Sequence, residues 1–190
     1  MKINLILLAA GNSKRFLENK LLYKINGKDM YMYILDTIKN INFNKVILVT
    51  QYEEIQKELK KYNFNIVINT ESYKGISSSI QLGINYDKSA DGYMFMVCDQ
   101  PFIKIQTIRN LIHAFNISNK GIVAVSYNKK PRNPVIFSRK YLNSLLSLNG
   151  DIGGSSILKN NLHDLILVEV SEKIEICDID TKDDLKIIKY

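Results

Sequence analysis

The 190-residue chain is predicted to be an α/β protein built on a mainly parallel sheet. Two observations predict it. Strand-like and helix-like segments alternate along the whole length, which suits strands joined through helical crossovers. The strand-like runs are also continuously apolar, as expected of strands covered on both faces. No linker, repeat or low-complexity stretch interrupts the pattern, and the length supports one sizeable core, so positions 1–190 are expected to form a single domain.

The strand candidates are Ile3–Leu8, Lys45–Thr50, Asn65–Asn69, Tyr93–Val97, Gly121–Ser126, Pro134–Phe137 and Leu165–Val170, each bounded by polar or glycine-containing turns. Between them, Tyr52, Ile55, Leu59 and Tyr62 fall on one helical face, and Ile105, Ile108, Ile112 and Phe115 on another. Further helices are expected over Ser78–Tyr86 and Arg139–Leu146, and a last one from an N-cap near Thr181, carrying Leu185 and Ile188. The first apolar run is too short, and lacks the basic leader and cleavage site, for a secretory signal; it reads as a buried strand. No run approaches the roughly 20 apolar residues of a membrane-spanning helix.

Composition is ordinary for a globular protein, with 46% hydrophobic and 24% charged residues. The net charge of +7 comes mostly from lysines scattered along the chain, without an arginine-rich stripe or interleaved aromatics. Nucleic-acid binding is therefore not expected, although a basic surface would attract phosphorylated substrates. Cys98 and Cys177 form no CxxC pair and have no clustered histidine partners, which argues against a disulfide framework or zinc site. They read as small residues at strand ends, and a cytoplasmic location is the expectation.

In a sheet of this kind, chemistry gathers beyond the C-terminal ends of the strands. The loop after the first strand begins Leu8-Ala9-Ala10-Gly11-Asn12-Ser13 and continues through Arg15 to Lys20. Its small residues let backbone N–H groups approach a phosphate or base, and Arg15 and Lys20 offer two cations to a triphosphate. The pattern is neither GxxxxGK[ST] nor GxGxxG. Gly75, Ser77, Ser78 and Ser79 open a helix, where amides and hydroxyls could meet a ligand or where Ser77 could serve as a cap. Cys98-Asp99-Gln100-Pro101 closes an apolar strand with a carboxylate, a mount for a metal ion or a helix cap. Near the end stand Asp178 and Asp180, then Asp183 and Asp184, which a helix dipole alone would explain.

These four segments, in this order, resemble the MobA-like nucleotidyltransferases. LAAGxSxR-x4-K is similar to that family's first loop, GISSS to its serine segment, DQP to its metal motif, and DIDTKDDL to its acidic ending. The resemblance implies a Rossmann-like three-layer fold with a mainly parallel mixed sheet, of the nucleotide-diphospho-sugar transferase type. It implies that Leu8, Ala9, Ala10, Gly11, Arg15, Lys20, Gly75, Ser77, Ser78 and Ser79 bind the nucleotide. Asp99 and Asp180 would hold Mg²⁺, with Asp178 in reserve, and Lys20, Arg15 and Asp99 would be catalytic.

Ala10 resembles the cytidylyl members of the family, where guanylyl members have glycine, so CTP is the expected co-substrate. Arg132-Asn133-Pro134-Val135 and Asn149-Gly150-Asp151 resemble segments that line the acceptor side, which points to a molybdopterin-type cofactor. Gln100, Asn133, Pro134, Gly150 and Asp151 are the acceptor-binding candidates, with ordinary turn chemistry as the other reading of the last four. Two residues depart from the pattern: Ser155 stands where an arginine is usual, and Leu17 where a glycine is usual.

The expected reaction is transfer of CMP from CTP to the cofactor's terminal phosphate with release of pyrophosphate. A phosphate of another acceptor, such as a sugar or alcohol, is an alternative. So is a non-catalytic role as a cofactor-binding escort for a molybdenum hydroxylase. His113 and His163 are read as bystanders, because an already ionised phosphate needs no general base.

Overall fold

A computed structural model covers every residue except Lys14, Leu17, Lys61, Asn63 and Tyr190; of residues 187–189 only the backbone is described. The departure at Leu17 therefore lies outside the described residues, as does the side chain of Ile188. The chain runs through β1 (Ile3–Ala9), a small hairpin β2 (Lys24–Ile25) and β3 (Lys28–Asp29), α1 (Met30–Ile38), β4 (Lys45–Thr50) and α2 (Glu53–Leu59). It continues through β5 (Asn65–Ile68), α3 (Ile76–Tyr86), β6 (Gly92–Val97), α4 (Ile105–Ile117), β7 (Ile122–Tyr127) and β8 (Lys130–Ser138). Then come α5 (Leu142–Leu146), α6 (Ser155–Asn160), β9 (Leu165–Glu169) and 3₁₀ turns over Lys173–Ile176 and Asp184–Lys189.

Seven strands form one sheet in the order β5-β4-β1-β6-β8-β7-β9. All neighbours pair in parallel except β8, which is antiparallel to both β6 and β7. The antiparallel strand follows from a tight hairpin: Asn128 and Lys129 both adopt positive φ (51° and 61°), the conformation that turns two strands back on each other. Register then jumps between Ala124–Val135 and Val125–Arg132, so Asn133 and Pro134 bulge out of the ladder.

Side chains alternate across β1. Leu5, Leu7 and Ala9 face α1, α2 and α4 in one layer of core. Ile6 faces the other layer with Ile80 and Ile84 of α3, Leu145 of α5 and Ile157 of α6. Both faces are covered, which is why the strand is apolar at nearly every position. The exception, Asn4, is fully buried but satisfied: its amide donates to the Asp87 carbonyl and its oxygen accepts from Asn44. Among the described residues, no helix is long and apolar enough to cross a membrane.

The sheet runs outward from β1 through β4 to β5, then returns to the other side of β1 as β6. The β1–β6 junction is thus the topological switch point, where loops diverge and leave a crevice. Three helical expectations are corrected. The last helix is a 3₁₀ turn beginning at Asp184, with the Asp184 carboxylate accepting the Thr181 N–H at 2.7 Å and the Asp184 N–H donating to the Thr181 hydroxyl. The helix over Arg139–Leu146 is a 3₁₀ turn followed by the short α5. Tyr62 lies past the end of α2 and is exposed.

Candidate active site at the switch point

The first loop is held from both ends. Ser13, at φ 48°, accepts the Phe16 N–H on its carbonyl and the Lys20 N–H on its hydroxyl. Phe16 then buries itself with Ile25, Met30 and Ile179 in a small satellite core. Asn19 caps the following 3₁₀ turn by accepting the Leu21 N–H at 3.1 Å. This folding carries Lys20 inward, where its side chain is only 11% exposed.

The Lys20 ammonium meets two carboxylates, Asp99 Oδ2 at 2.6 Å and Asp180 Oδ1 at 2.7 Å. Asp99 follows the end of β6. Asp180 arrives from the other end of the chain, positioned because Ile179 is fully buried and its N–H donates to the Asp99 carbonyl at 2.9 Å. Arg15, largely exposed, donates to the second oxygen of Asp180 at 2.6 Å. Burial works against the charge on Lys20, but the two carboxylates outweigh it and hold its ammonium above the ordinary lysine range. Burial and the nearby Asp99 charge push the Asp178 carboxyl up, although Gln100 donates to it at 2.9 Å. Burial also drives the Cys98 thiol far above its usual range, and the side chain is inert packing.

A cavity of ≈ 670 Å³ opens beside this cluster, a size suited to a nucleotide. Of the nucleotide-binding candidates, Leu8, Ala9, Ala10, Gly11, Arg15, Lys20, Gly75 and Ser79 line it. Ser77 and Ser78 sit behind the wall. Ser77 is 3% exposed, and the Ser78 hydroxyl donates to the Gly75 carbonyl while accepting from Asn69. Ser77 does not cap α3 either. The helix starts at Ile76, whose N–H reaches the carboxylate of Asp151 at 3.3 Å, and the Ser77 N–H meets the Gly150 carbonyl at 3.3 Å.

Of the acceptor candidates, Gly150 and Asp151 line the same cavity; Asn133 and Pro134 lie in the β8 bulge, apart from its lining. Gln100 is buried, with its amide donating to the Ile176 carbonyl and to Asp178, so it braces the acidic segment from beneath. Ser155 is exposed at the start of α6.

The far wall contains residues that the sequence pattern left unmarked. Gln51, directly after β4, donates to the Ala10 carbonyl at 2.9 Å and to Asn12 at 2.8 Å, and accepts from Ser72 at 2.7 Å. Its neighbour Tyr52 donates to the Gly11 carbonyl. Asn69, fully buried after β5, donates to Ser78 and Ser79 and accepts the Glu71 N–H. These two amides tie the loops after β1, β4 and β5 into one surface. The available signal was position, since both stand at the C-terminal ends of strands, β4 beside β1 and β5 beside β4.

Gly75 closes that wall at φ 89°, ψ −177°, a region reserved for glycine. A Cβ there would lie 2.5 Å from the Gly150 backbone. Gly75→Ala is therefore expected to cost about 2–3 kcal/mol and to weaken nucleotide binding by spreading the two loops. Urea unfolding and calorimetric titration of the variant check this; an unchanged midpoint would contradict the close approach.

A family model described as the MobA-like NTP transferase domain matches residues 5–165. The chain belongs to this family. Its relatives include the purine catabolism protein PucB of Bacillus subtilis, 24% identical over 196 residues that cover 97% of this chain and 94% of that protein. They also include a probable molybdenum cofactor guanylyltransferase of Aquifex aeolicus, 27% identical over 185 residues, covering 95% and 87%. Among solved structures, Rv0371c from Mycobacterium tuberculosis matches this MobA-like chain with a TM-score of 0.83 at 23% identity, covering 99% and 98%. The same protein in complex with manganese matches with a TM-score of 0.81 at 22% identity, covering 99% and 98%. These structural likenesses establish the Rossmann-like three-layer fold.

Proposed function

We propose that this MobA-like chain is a divalent-metal-dependent nucleotidyltransferase that moves CMP from CTP to the terminal phosphate of a molybdopterin-type cofactor. One observation carries the reading. A buried lysine and two carboxylates meet at the switch point of the sheet, at the edge of a nucleotide-sized cavity. Family membership supports nucleotidyl transfer; Ala10 supports CTP, and the resemblance of the Asn133 and Gly150 segments supports the pterin acceptor.

The residues suit a divalent ion. Among the described residues no group of three or more His, Cys, Asp or Glu side chains converges into a closed metal cage. Mg²⁺ needs no such cage: one or two carboxylates suffice where water and substrate phosphates complete its shell. Asp99 Oδ1 is buried and makes no hydrogen bond within the protein, which leaves it free to take a cation. Asp99 and Asp180 would hold the metal, which when bound supplies charge neutralisation at the α-phosphate.

The chain's own contribution is positioning. The acceptor phosphate, largely dianionic at neutral pH, attacks the α-phosphorus of CTP; a P–O bond forms while the α–β bridging bond breaks and pyrophosphate leaves. Lys20 and Arg15 neutralise the departing charge, and the loop at Ala9–Gly11 holds the nucleotide in line. No proton needs to be removed by a side chain.

The test is pyrophosphate release from the purified protein with Mg²⁺ and molybdopterin-type cofactor, comparing CTP, GTP and ATP. Release with CTP alone is expected. Release with GTP alone would overturn the base assignment, and silence with all three from protein that binds nucleotide would overturn the acceptor.

A further inference from the structure

Tyr73 is 74% exposed, the most exposed of the large hydrophobic side chains among the described residues. It is also the one aromatic residue among those described that line the cavity. Single exposed aromatics are commonplace, but the backbone beneath this one is fixed on every side. Ser72 is tied to Gln51 at 2.7 Å, Glu71 N–H to Asn69 at 2.9 Å, and Gly75 N–H to the Ser72 carbonyl at 3.0 Å. Gly75 then abuts Gly150 so closely that no side chain fits between them. The result is a fixed turn presenting an exposed ring to a cavity, with the Lys74 ammonium 6.0 Å from the ring centroid as its neighbour.

The position of the ring selects its partner. Four charged side chains, Lys20, Arg15, Asp99 and Asp180, meet at the β1–β6 end, whereas the cation beside Tyr73, Lys74, is paired with Glu71. Tyr73 follows β5, three strands from β6 in the sheet. At about 4.8 Å per strand, the ends of β5 and β6 lie about 14 Å apart, on the order of an extended nucleoside triphosphate. A triphosphate drawn to the charged end would leave its base at the Tyr73 end.

We propose that Tyr73 is a stacking platform for the nucleobase, a reading that rests on the cavity being a nucleoside triphosphate site. Stacking uses the ring face common to all bases. Tyr73 therefore supplies affinity without base choice, and choice falls to the backbone around Ala10 and Gly11. A tyrosine has few rotors to freeze, so a fixed backbone makes it an inexpensive anchor.

The experiment is calorimetric titration with Mg²⁺ of wild type, Tyr73→Ala and Tyr73→Phe, using CTP, GTP, ATP and inorganic tripolyphosphate as probes. Exposure of the side chain means that the fold should tolerate both changes. Tyr73→Ala is expected to weaken every nucleotide that binds by about 5- to 100-fold and to leave tripolyphosphate unchanged, with Tyr73→Phe close to wild type. Nucleotide affinities within twofold of wild type in Tyr73→Ala would overturn the platform alone, as would equal weakening of tripolyphosphate. A rise confined to the acceptor KM would assign the ring to the acceptor instead. Wild type that binds neither nucleotide nor tripolyphosphate would overturn the triphosphate reading itself.

Discussion

Asp99→Asn is expected to lower kcat by about 10²- to 10³-fold while leaving the melting temperature within a few degrees of wild type. The substitution keeps shape and removes charge. Asp99 sits where β6 ends, anchored by backbone bonds that asparagine preserves, including the Ile179 N–H donated to its carbonyl. What is lost is the negative charge shared by the oxygen facing Lys20 and the unpartnered Oδ1, the charge that would make the position a cation ligand in the proposed reaction. Nucleotide affinity should fall far less than kcat, because the Asp99→Asn variant keeps Lys20 and the loop at Ala9–Gly11 in place. Steady-state kinetics, Mn²⁺ binding and thermal denaturation on one preparation separate these effects. A kcat within tenfold of wild type would remove Asp99 from the metal role.

Lys20→Met is expected to act on stability as well as on turnover. Methionine fills similar space without charge, so the Asp99 and Asp180 carboxylates are left facing each other across the vacated ammonium. Removing one partner of a fully buried ion pair costs about 3–5 kcal/mol. Here the carboxylate side chains are 20% and 30% exposed, so a loss of about 2 kcal/mol is expected. The carboxylates hold the wild-type ammonium above the ordinary lysine range, so this contribution is complete at neutral pH and lost only as pH rises through that raised value. A divalent ion should take over the missing charge. Millimolar Mn²⁺ is expected to raise the melting temperature of the variant more than that of wild type, while triphosphate affinity drops by about tenfold or more. Thermal scans with and without chelator decide it; a variant insensitive to both would show that Lys20 does not neutralise the pair.

The central strands were legible because they are buried on both faces and therefore apolar along their length, and the half-buried edge strands β5 and β9 still carry apolar runs; strand ends moved by at most one residue, except in β8. That strand begins four residues before Pro134, since a hairpin turn at Asn128 and Lys129 has no glycine to announce it. The β2–β3 hairpin did carry an Asn26-Gly27 signal, but its strands are two residues each and show no alternation. Helix α1, Met-Tyr-Met-Tyr-Ile-Leu-Asp-Thr-Ile, has no side-chain cap and is apolar at most positions, so period 3.6 is hidden. Helix α6 follows two glycines that read as a turn.

At the site, the charged residues were legible by type and by position at strand ends, and the structure brings Arg15, Lys20, Asp99 and Asp180 together. Hydroxyl and amide roles were not. Whether Ser78 faces a ligand or Asn69 depends on where a loop nine residues upstream passes, and nothing local encodes that. Gln51 is chemically anonymous until its three partners are known.

The contact between Lys20 and Asp180 spans 160 residues of chain. Closing a loop of that length in an unfolded polymer costs about 4–5 kcal/mol in entropy, several times what one partly exposed ion pair returns. The pair therefore cannot draw the two ends together; it forms only after the sheet has already done so. Until the sheet forms, Lys20 and Asp99 stand apart from the acidic segment 178–184, so the arrangement that joins them belongs to the finished fold and to no local stretch of chain.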